Sequence, residues 1–563
     1  MTSDTSATTS GTSPLKPAIF LQDACFQHRY IRSRDLSAIV ERPERLRAVT
    51  IGISAAISRL EGVPNQPKPE LDPDDLASQL ARLNIQPDIP VTIIQSSASI
   101  DILSHPAVKY VHGDVDGDVY LENLVRWIKE SKEKVEKEES EIPSNLSQGD
   151  LYLCPESLAA IQGAVGTVCE AVDAVVGSSK SVGGAFVAIR PPGHHCGEDS
   201  PSGFCFVNNV AIGAAHAHLK YGINRVVIFD IDLHHGNGTQ SIVWQMNEET
   251  YRQTLESEGG APISKKGPQV FYGSIHDILS YPCEDGKVEL VQAASVSIHG
   301  SHGQFIENVH LQQYSSTEHW EKLYAEQYSK ILRKAEEFLD STGGPGEDVL
   351  VFISCGMDAS EHEMPSMSRH NRRVPTSFYY QFTRDACALS RRYAGGKLIS
   401  VLEGGYSDRA LTSGSMAHLL GLADKPANPD WWSVENLVLL EKVTKKKRGG
   451  GRQSIGQTNV EPWLERTLAI FSTLDASPPQ ASTPRMPPPP SSMTLRDRSK
   501  KPNSAANSAA SSPRGKGAAS AAQPPPTDTT SAESSSSEES HPTTTADKKL
   551  PRVILRLGPA PGA

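Results

Sequence analysis

Short runs of β-branched and aromatic residues recur between Pro17 and about Leu420, separated by longer stretches with helical spacing. Brief apolar runs bounded by turn residues fit strands buried on both faces. Their alternation with helices predicts an α/β protein whose open, mostly parallel β-sheet is covered by helices on both faces. Ala185 to Ile189, Val226 to Asp230, Val270 to Ile275, Val349 to Ser354 and Lys397 to Leu402 read as strands, each followed by a segment rich in Gly, His or Asp. Ligands of open α/β sheets bind beyond the carboxyl ends of the strands, so these segments are expected to converge in one crevice. Three segments interrupt the pattern: Pro64 to Pro90, Lys129 to Gly149 and Met246 to Pro268. Each is expected to form a surface loop or an exposed helix, and the charge-dense Lys129 to Glu141 reads as a solvated face. Trp431-Trp432 and Val460 to Leu474 predict one or two closing helices, with the basic run Lys445 to Arg448 between them.

Composition divides the 563 residues unevenly. Residues 476–563 are Ser, Thr, Pro and Ala with almost no aromatic side chains, too little apolar surface to offset the entropy of ordering. A disordered tail is expected there, a disordered N-terminus over 1–16, and a helical extension over 426–475. The tail carries 11 Lys+Arg against 6 Asp+Glu, a net +5, which leaves −16 on the rest of a chain whose formal charge is −11. An acidic body argues against a globular nucleic-acid-binding domain and suits a cationic partner. Met1 to Pro14 lacks the basic and apolar regions of a signal peptide, and no later stretch reads as a membrane span, so a soluble intracellular protein is expected. Eight cysteines without a C-x-x-C pair read as reduced, mostly buried thiols rather than a zinc ribbon or disulfide framework. No P-loop, GxSxG elbow or GxGxxG after a strand is present.

The most informative window is Asp230-Ile231-Asp232-Leu233-His234-His235-Gly236-Asn237-Gly238, directly after an apolar strand. Carboxylate and imidazole two residues apart at a strand end can face one ion, and such O and N donors suit Zn²⁺. Two acids and two histidines beside a buried strand would be costly without a metal or mutual pairing. Asp358, in Ser354-Cys355-Gly356-Met357-Asp358, would supply a third ligand and leave a fourth position open, although for such an Asp taken alone a helix N-cap is the commoner use. Arg190-Pro191-Pro192-Gly193-His194-His195 presents two imidazoles from a rigid turn, as general acid–base chemistry needs. Glu403-Gly404-Gly405-Tyr406 delivers a hydroxyl suited to a developing oxyanion. Taken separately, a His-His pair is often a surface feature and a Tyr usually core.

The elements PPGHH, GFCF, DIDLHHGNG, GMDA and LEGGY, in this order over roughly Pro17 to Leu420, resemble the zinc-dependent histone deacetylases of the arginase/deacetylase fold. HHGNGTQ and LEGGY are closer to class II than to class I, and the insertions and tail resemble a fungal Hos-type member. The resemblance implies a zinc deacetylase catalytic domain over 17–425 that removes acetyl groups from lysines of histone tails or other proteins. Chromatin and transcription regulation in the nucleus and/or cytoplasm, with homo-oligomer or chromatin-complex partners, would follow. By the same resemblance, Zn²⁺ is held by Asp232, His234 and Asp358. His195 is the general base and acid, His194 pairs with Asp230, Asn237 partners the second histidine, and Tyr406 polarises the carbonyl. Gly203, Phe204 and Tyr281 line the lysine tunnel, and Asp230, Asp232, His234 and Ser274 match a structural K⁺ site.

Several residues depart from the family pattern. Asn237 stands where class I has Asp, and should leave His195 the weaker base. Tyr281 replaces the usual Phe. Leu153 occupies the place of a rim Asp before Cys154-Pro155, with Asp150 three residues earlier. Glu361-His362-Glu363-Met364 is expected to make the rim more acidic, which raises an acetylpolyamine deacetylase as a rival reading. It is not an HExxH motif, because Ser366 holds the place of the second His. A catalytically silent acetyl-lysine-binding scaffold is the rival from another class.

Overall fold

The structure, a computed structural model, describes residues 15–62, 90–113, 119–178, 182–260, 266–445 and 461–477. The expected disordered start up to residue 14, the tail from 478, the segment Pro64 to Pro90 apart from its last residue, and the basic run beyond Lys445 lie outside the described residues.

Nine strands form one sheet: β1 Ala18–Gln22, β2 Thr92–Ser96, β3 Ala185–Ala188, β4 Arg225–Asp230, β5 Gln269–His276, β6 Ser297–His299, β7 Phe305–His310, β8 Val349–Cys355 and β9 Leu398–Leu402. Their order is β2-β1-β3-β9-β8-β4-β5-β7-β6, and every pairing is parallel except β6 with β7. Every residue of β3, β4, β8 and β9 is buried, on both pleat directions, so helices cover both faces as the apolar runs require. The edges differ. β2 is largely exposed and β6 is three residues long, so neither carries the apolar run that marks a central strand.

The order matters because β3, β9, β8 and β4, whose ends carry the four motifs, are consecutive neighbours. Register aligns Asp230 with Ser354 on β8 and with Ser274 on β5. The four turns therefore emerge along one stretch of the sheet's carboxyl edge.

Three expectations change. The helix Ser157–Val176 has 20 residues and is long and apolar enough to cross a membrane, where no such stretch was expected. It is a core helix, mostly buried, packed on the short 3-10 turn Asp23–Gln27, β1 and the helix Asn209–Tyr221. Lys129 to Glu141 is an exposed helix only up to Glu136. Beyond it Glu141 turns inward, fully buried, accepting from Arg32 Nε at 2.8 Å and Leu153 N at 3.1 Å. Met246 is no break in the pattern, because it lies inside the helix Asn237–Glu258 with Asn247 and Thr250 also buried.

Two closing helices are present, Val434–Thr444 and Pro462–Leu474. The second packs on the helix Glu44–Gly62, where Arg59 lies 3.6 Å over the Trp463 ring and Arg466 pairs with Glu61 at 2.6 Å. All eight cysteines are free and buried.

Candidate active site

The turn after β4 curls its polar groups inward. Asp232, His234 and Asp358 each offer a ligand atom within 4.8 Å of the others, and all three are buried. The two carboxylates are aimed by backbone donors. Gly404 N donates to Asp232 Oδ2 and Leu233 N to Asp358 Oδ1, both at 2.8 Å, so Asp358 caps no helix. The remaining oxygens face His234 Nδ1, at 3.2 Å from Asp232 and 3.0 Å from Asp358. Glycine is needed beside them, since a Cβ on Gly404 would lie 2.2 Å from Asp358 Oδ2. Burial raises the Asp358 carboxyl and the neighbouring Asp232 raises it further; burial also opposes ionisation of Asp232, but His194 and His234 overcome it and hold that group low. Two buried carboxylates and an imidazole form a donor set that fits a divalent cation. Of the His234-His235 pair only the first joins the cluster. His235 Nε2 bonds Gln240 Oε1 at 3.0 Å, and its Nδ1 is buried without a hydrogen-bond partner among the described residues.

The turn after β3 places two imidazoles beside this cluster, their centroids 4.0 Å apart. His194 Nδ1 pairs with Asp230 Oδ2 at 3.2 Å, and its Nε2 lies 3.8 Å from Asp232 Oδ2. Burial disfavours its charge, yet Asp232 and Asp230 outweigh that and hold His194 at about 10. His195 Nδ1 donates to Asn237 Oδ1 at 2.8 Å, an amide that adds no charge. Burial, then the charges on His194 and His234, push His195 well below its ordinary value. Adjacent rings are thus driven to opposite protonation states, the arrangement that separates an electrostatic group from a proton acceptor.

Of the cluster, His234 reaches a cavity of about 370 Å³ that is also lined by His195, Gly203, Phe204, Tyr281 and Tyr406 among others. Phe204 and Tyr406 lie 5.7 Å apart between ring centroids, and Tyr281 stands edge-on to His195 at 4.8 Å. The hydroxyl that distinguishes Tyr281 from Phe hydrogen-bonds Ser202 Oγ. Gly203, at φ +48°, admits no side chain, because a Cβ would meet the His195 ring at 2.4 Å. Ser274 sits beside Asp230 in register, with its hydroxyl 2.8 Å from His276 Nδ1.

Of the two acids expected at the rim, only one faces solvent. Glu363 is 3 % exposed and faces inward, accepting from Tyr406 N at 2.8 Å, Ser407 N at 3.2 Å and Met364 N at 2.7 Å. Glu361 is exposed and accepts from Thr376 N at 2.8 Å. Neither lines the cavity, whose charged lining is Asp150, Glu284 and Arg369.

Further residues with a part in the geometry were not singled out in the sequence. Glu403 accepts from Gly193 N at 2.7 Å and His194 N at 3.2 Å, tying the β9 turn to the histidine turn; burial pushes it up to about 7. Arg45 donates to Gly405 O at 2.6 Å and to Glu403 O, with its guanidinium 5.0 Å from the Tyr406 centroid. Fully buried Glu41 joins Arg45, at 2.9 Å, to Arg190 Nε, at 2.8 Å. The Glu403 signal was available, as an acid directly after a wholly buried strand. Glu41 and Arg45 lie far from every motif and offered none.

Fold and site together define an α/β protein whose sheet edge gathers a buried three-donor group able to hold a metal ion beside paired imidazoles and a tyrosine. Residues 101–422 match the family described as Histone deacetylase domain, and the chain belongs to that family. It is 37 % identical over 431 residues to "Histone deacetylase HOS3" of Saccharomyces cerevisiae, covering 73 % of this chain and 57 % of the yeast protein. It is 28 % identical to "Histone deacetylase-like amidohydrolase" of Pseudomonas aeruginosa, over 59 % of this chain and 73 % of that one. A crystal structure of an HDA15 HD domain aligns with a TM-score of 0.49 and 20 % identity, over 82 % of this chain and 99 % of that domain. The chain thus spans less than two thirds of its yeast relative's length.

Proposed function

We propose that the chain hydrolyses the acetyl amide of lysine side chains in histone tails or other proteins, with Zn²⁺ held by Asp232, His234 and Asp358. The supporting observation is that one aromatic-walled cavity is lined by His195, Tyr406 and His234, the last of them joined to the buried Asp232 and Asp358. Zinc, when bound, supplies Lewis acidity toward the acetyl carbonyl and an attacking water. The protein supplies the rest. Asn237 fixes the His195 tautomer with the proton on Nδ1, so Nε2 takes the proton of the attacking water and then delivers it to the departing lysine nitrogen. His194, kept charged by Asp230 and Asp232, acts electrostatically. Tyr406 donates its hydroxyl to the developing oxyanion. Phe204 and Tyr281 flank the apolar lysine stem, and Gly203 offers its carbonyl to the amide N–H. Asp230, Asp232, His234 and Ser274 form the structural K⁺ site, supported by the pairing of Asp230 with Ser274. Residues 17–425 are the catalytic unit, 426–475 the helical extension, and the setting is chromatin regulation in the nucleus and/or cytoplasm.

Glu361 and Glu363, the acids that raised acetylpolyamines as a rival substrate, do not line the cavity, whereas Asp150 and Glu284 do, so the two substrate classes are separated by assay. Turnover of an acetylated histone-tail peptide by the purified chain, its loss on chelation and its return with zinc are the expected results. Preferential turnover of acetylspermidine, or none of either substrate by the zinc-loaded chain, would overturn the reading.

A further inference from the structure

Among the described residues a second group can hold a metal ion, and it shares nothing with the first. His105, Cys169 and His216 each offer one ligand atom within 4.8 Å of the others. They come from three helical elements. His105 is the N-cap of the helix Pro106–His112, Cys169 lies in the buried helix Ser157–Val176, and His216 lies in the helix Asn209–Tyr221. That last helix begins beside the histidine turn, where Asn209 Nδ2 donates to Pro191 O at 3.1 Å. His216 is two helical turns further on, about 10 Å along the axis.

The surroundings are those of a ligand set rather than of core filling. Asp173, one turn after Cys169, bonds His216 Nε2 at 2.8 Å, which orients the ring and leaves Nδ1 for another partner. A carboxylate on the far nitrogen of a ligating imidazole is the arrangement that raises ligand basicity. Asp173 also holds Lys220 Nζ at 2.9 Å and the Tyr221 hydroxyl at 2.8 Å, so its own position is fixed. The His105 and His216 rings stack with centroids 5.6 Å apart. Cys169 is 4 % exposed, His216 is 9 % exposed and His105 is half-buried, so the site is reachable from solvent on one side only. Ala107 N donates to His105 Nδ1 at 3.3 Å; a metal on Nε2 would move the ring proton to Nδ1 and give up that long bond.

We propose that His105, Cys169 and His216 bind a borderline-soft divalent cation of the zinc type, at a site separate from the strand-end cluster. One thiolate with two imidazoles is a donor set that zinc, cobalt and copper accept. Ligands at about 2.0–2.3 Å in a tetrahedron stand roughly 3.3–3.8 Å apart, so side-chain rotation suffices to close the group on an ion. The role is structural: the ion ties the N-cap of one helix to two others on the covering layer.

The sulfur gives the test its selectivity. The full-length chain loaded with Co²⁺ alone is expected to show a thiolate-to-cobalt charge-transfer band, because the Asp232, His234 and Asp358 set contains no sulfur. Cys169→Ser removes the band and lowers bound zinc, measured by mass spectrometry of the metal, from about two equivalents to about one. His105→Gln, at a half-exposed position, weakens the second equivalent at least tenfold while leaving the first. No band in the parent chain, a band that survives Cys169→Ser, or equal zinc content in parent and both variants would overturn the proposal. None of these readouts depends on turnover, so an inactive enzyme leaves the test intact.

Discussion

The turn after β4 and the turns after β3 and β9 meet at one site but are held in different ways. The β4 turn and the β8 turn, which carries Asp358, brace each other at short range. Leu233 N donates to Asp358, His234 N donates to Asp232, the His234 imidazole lies between the two carboxylates, and one backbone donor, Gly404 N, comes from the β9 turn. The other two turns are held from outside, by Glu403 across the gap between them, by Glu363 from the loop after Asp358, and by Arg45 from the first long helix. Ligand groups can be positioned locally because a metal site needs only convergent donors. Proton-transfer and oxyanion groups must stand at set distances from a substrate, and that demands bracing along several directions.

The sharpest way to break this contrast is at the ligand groups of the β4 and β8 turns. His234→Ala or Asp358→Asn is expected to abolish turnover and release zinc, since a three-donor site losing one donor loses both affinity and activation. Full activity with stoichiometric zinc in either variant would remove these residues from the ligand set. Tyr406→Phe, on the braced side, should lower kcat by about 10²–10³ while zinc content stays the same. An unchanged rate constant would take the hydroxyl out of the chemistry.

Glu363→Gln tests the bracing itself, because an amide cannot accept three N–H groups on two oxygens. A loss of kcat of about tenfold to a hundredfold is expected, with zinc retained. Burial raises the Glu363 carboxyl from 4.5 to about 7, although the N–H donors oppose this. The folded chain therefore binds the proton more tightly than the unfolded one. The stability this lends is fully present below about 4.5 and lost as pH rises to about 7. The unfolding free energy from urea titration, parent minus variant, should fall across that window by up to about 3.4 kcal/mol. A difference that is flat or rises with pH would contradict the burial of this acid.

The smallest effect expected is from Asn237→Asp. A carboxylate on His195 Nδ1 favours the imidazolium, so the acidic limb of kcat/KM, which should lie below neutrality in the parent, moves upward. Profiles on one acetyl-lysine peptide, with zinc content checked at each pH, measure it. Only the direction is expected, because His195 titrates together with its neighbours. A limb that stays or moves down would transfer the proton-transfer role to His194.

What the sequence made legible follows the same division. Central strands are buried on both faces, so β3, β4, β5, β8 and β9 stood out as apolar runs, and the motifs at their ends marked the crevice. β2 and β6, at the exposed edges, carry Thr, Gln, Ser and His and left no such trace. Glu361 and Glu363 were read as surface acids because charge in a loop is usually solvated; the fold instead turns Glu363 toward the backbone of Tyr406. Arg45 and Glu41 were invisible because their partners lie about 360 and 150 residues away in the chain, in contacts no spacing rule encodes.

The Arg45, Glu41 and Arg190 network carries a consequence for how this protein can diverge. Removing one member strands a buried charge, at about 3–5 kcal/mol, a large share of what a folded domain has to lose. Replacing all three by apolar residues of matching volume can be neutral. The low-lying route between those states is a joint change, so the three positions are bound to mutate as a single heritable unit, and a lineage exploring them one at a time meets a barrier at every first step.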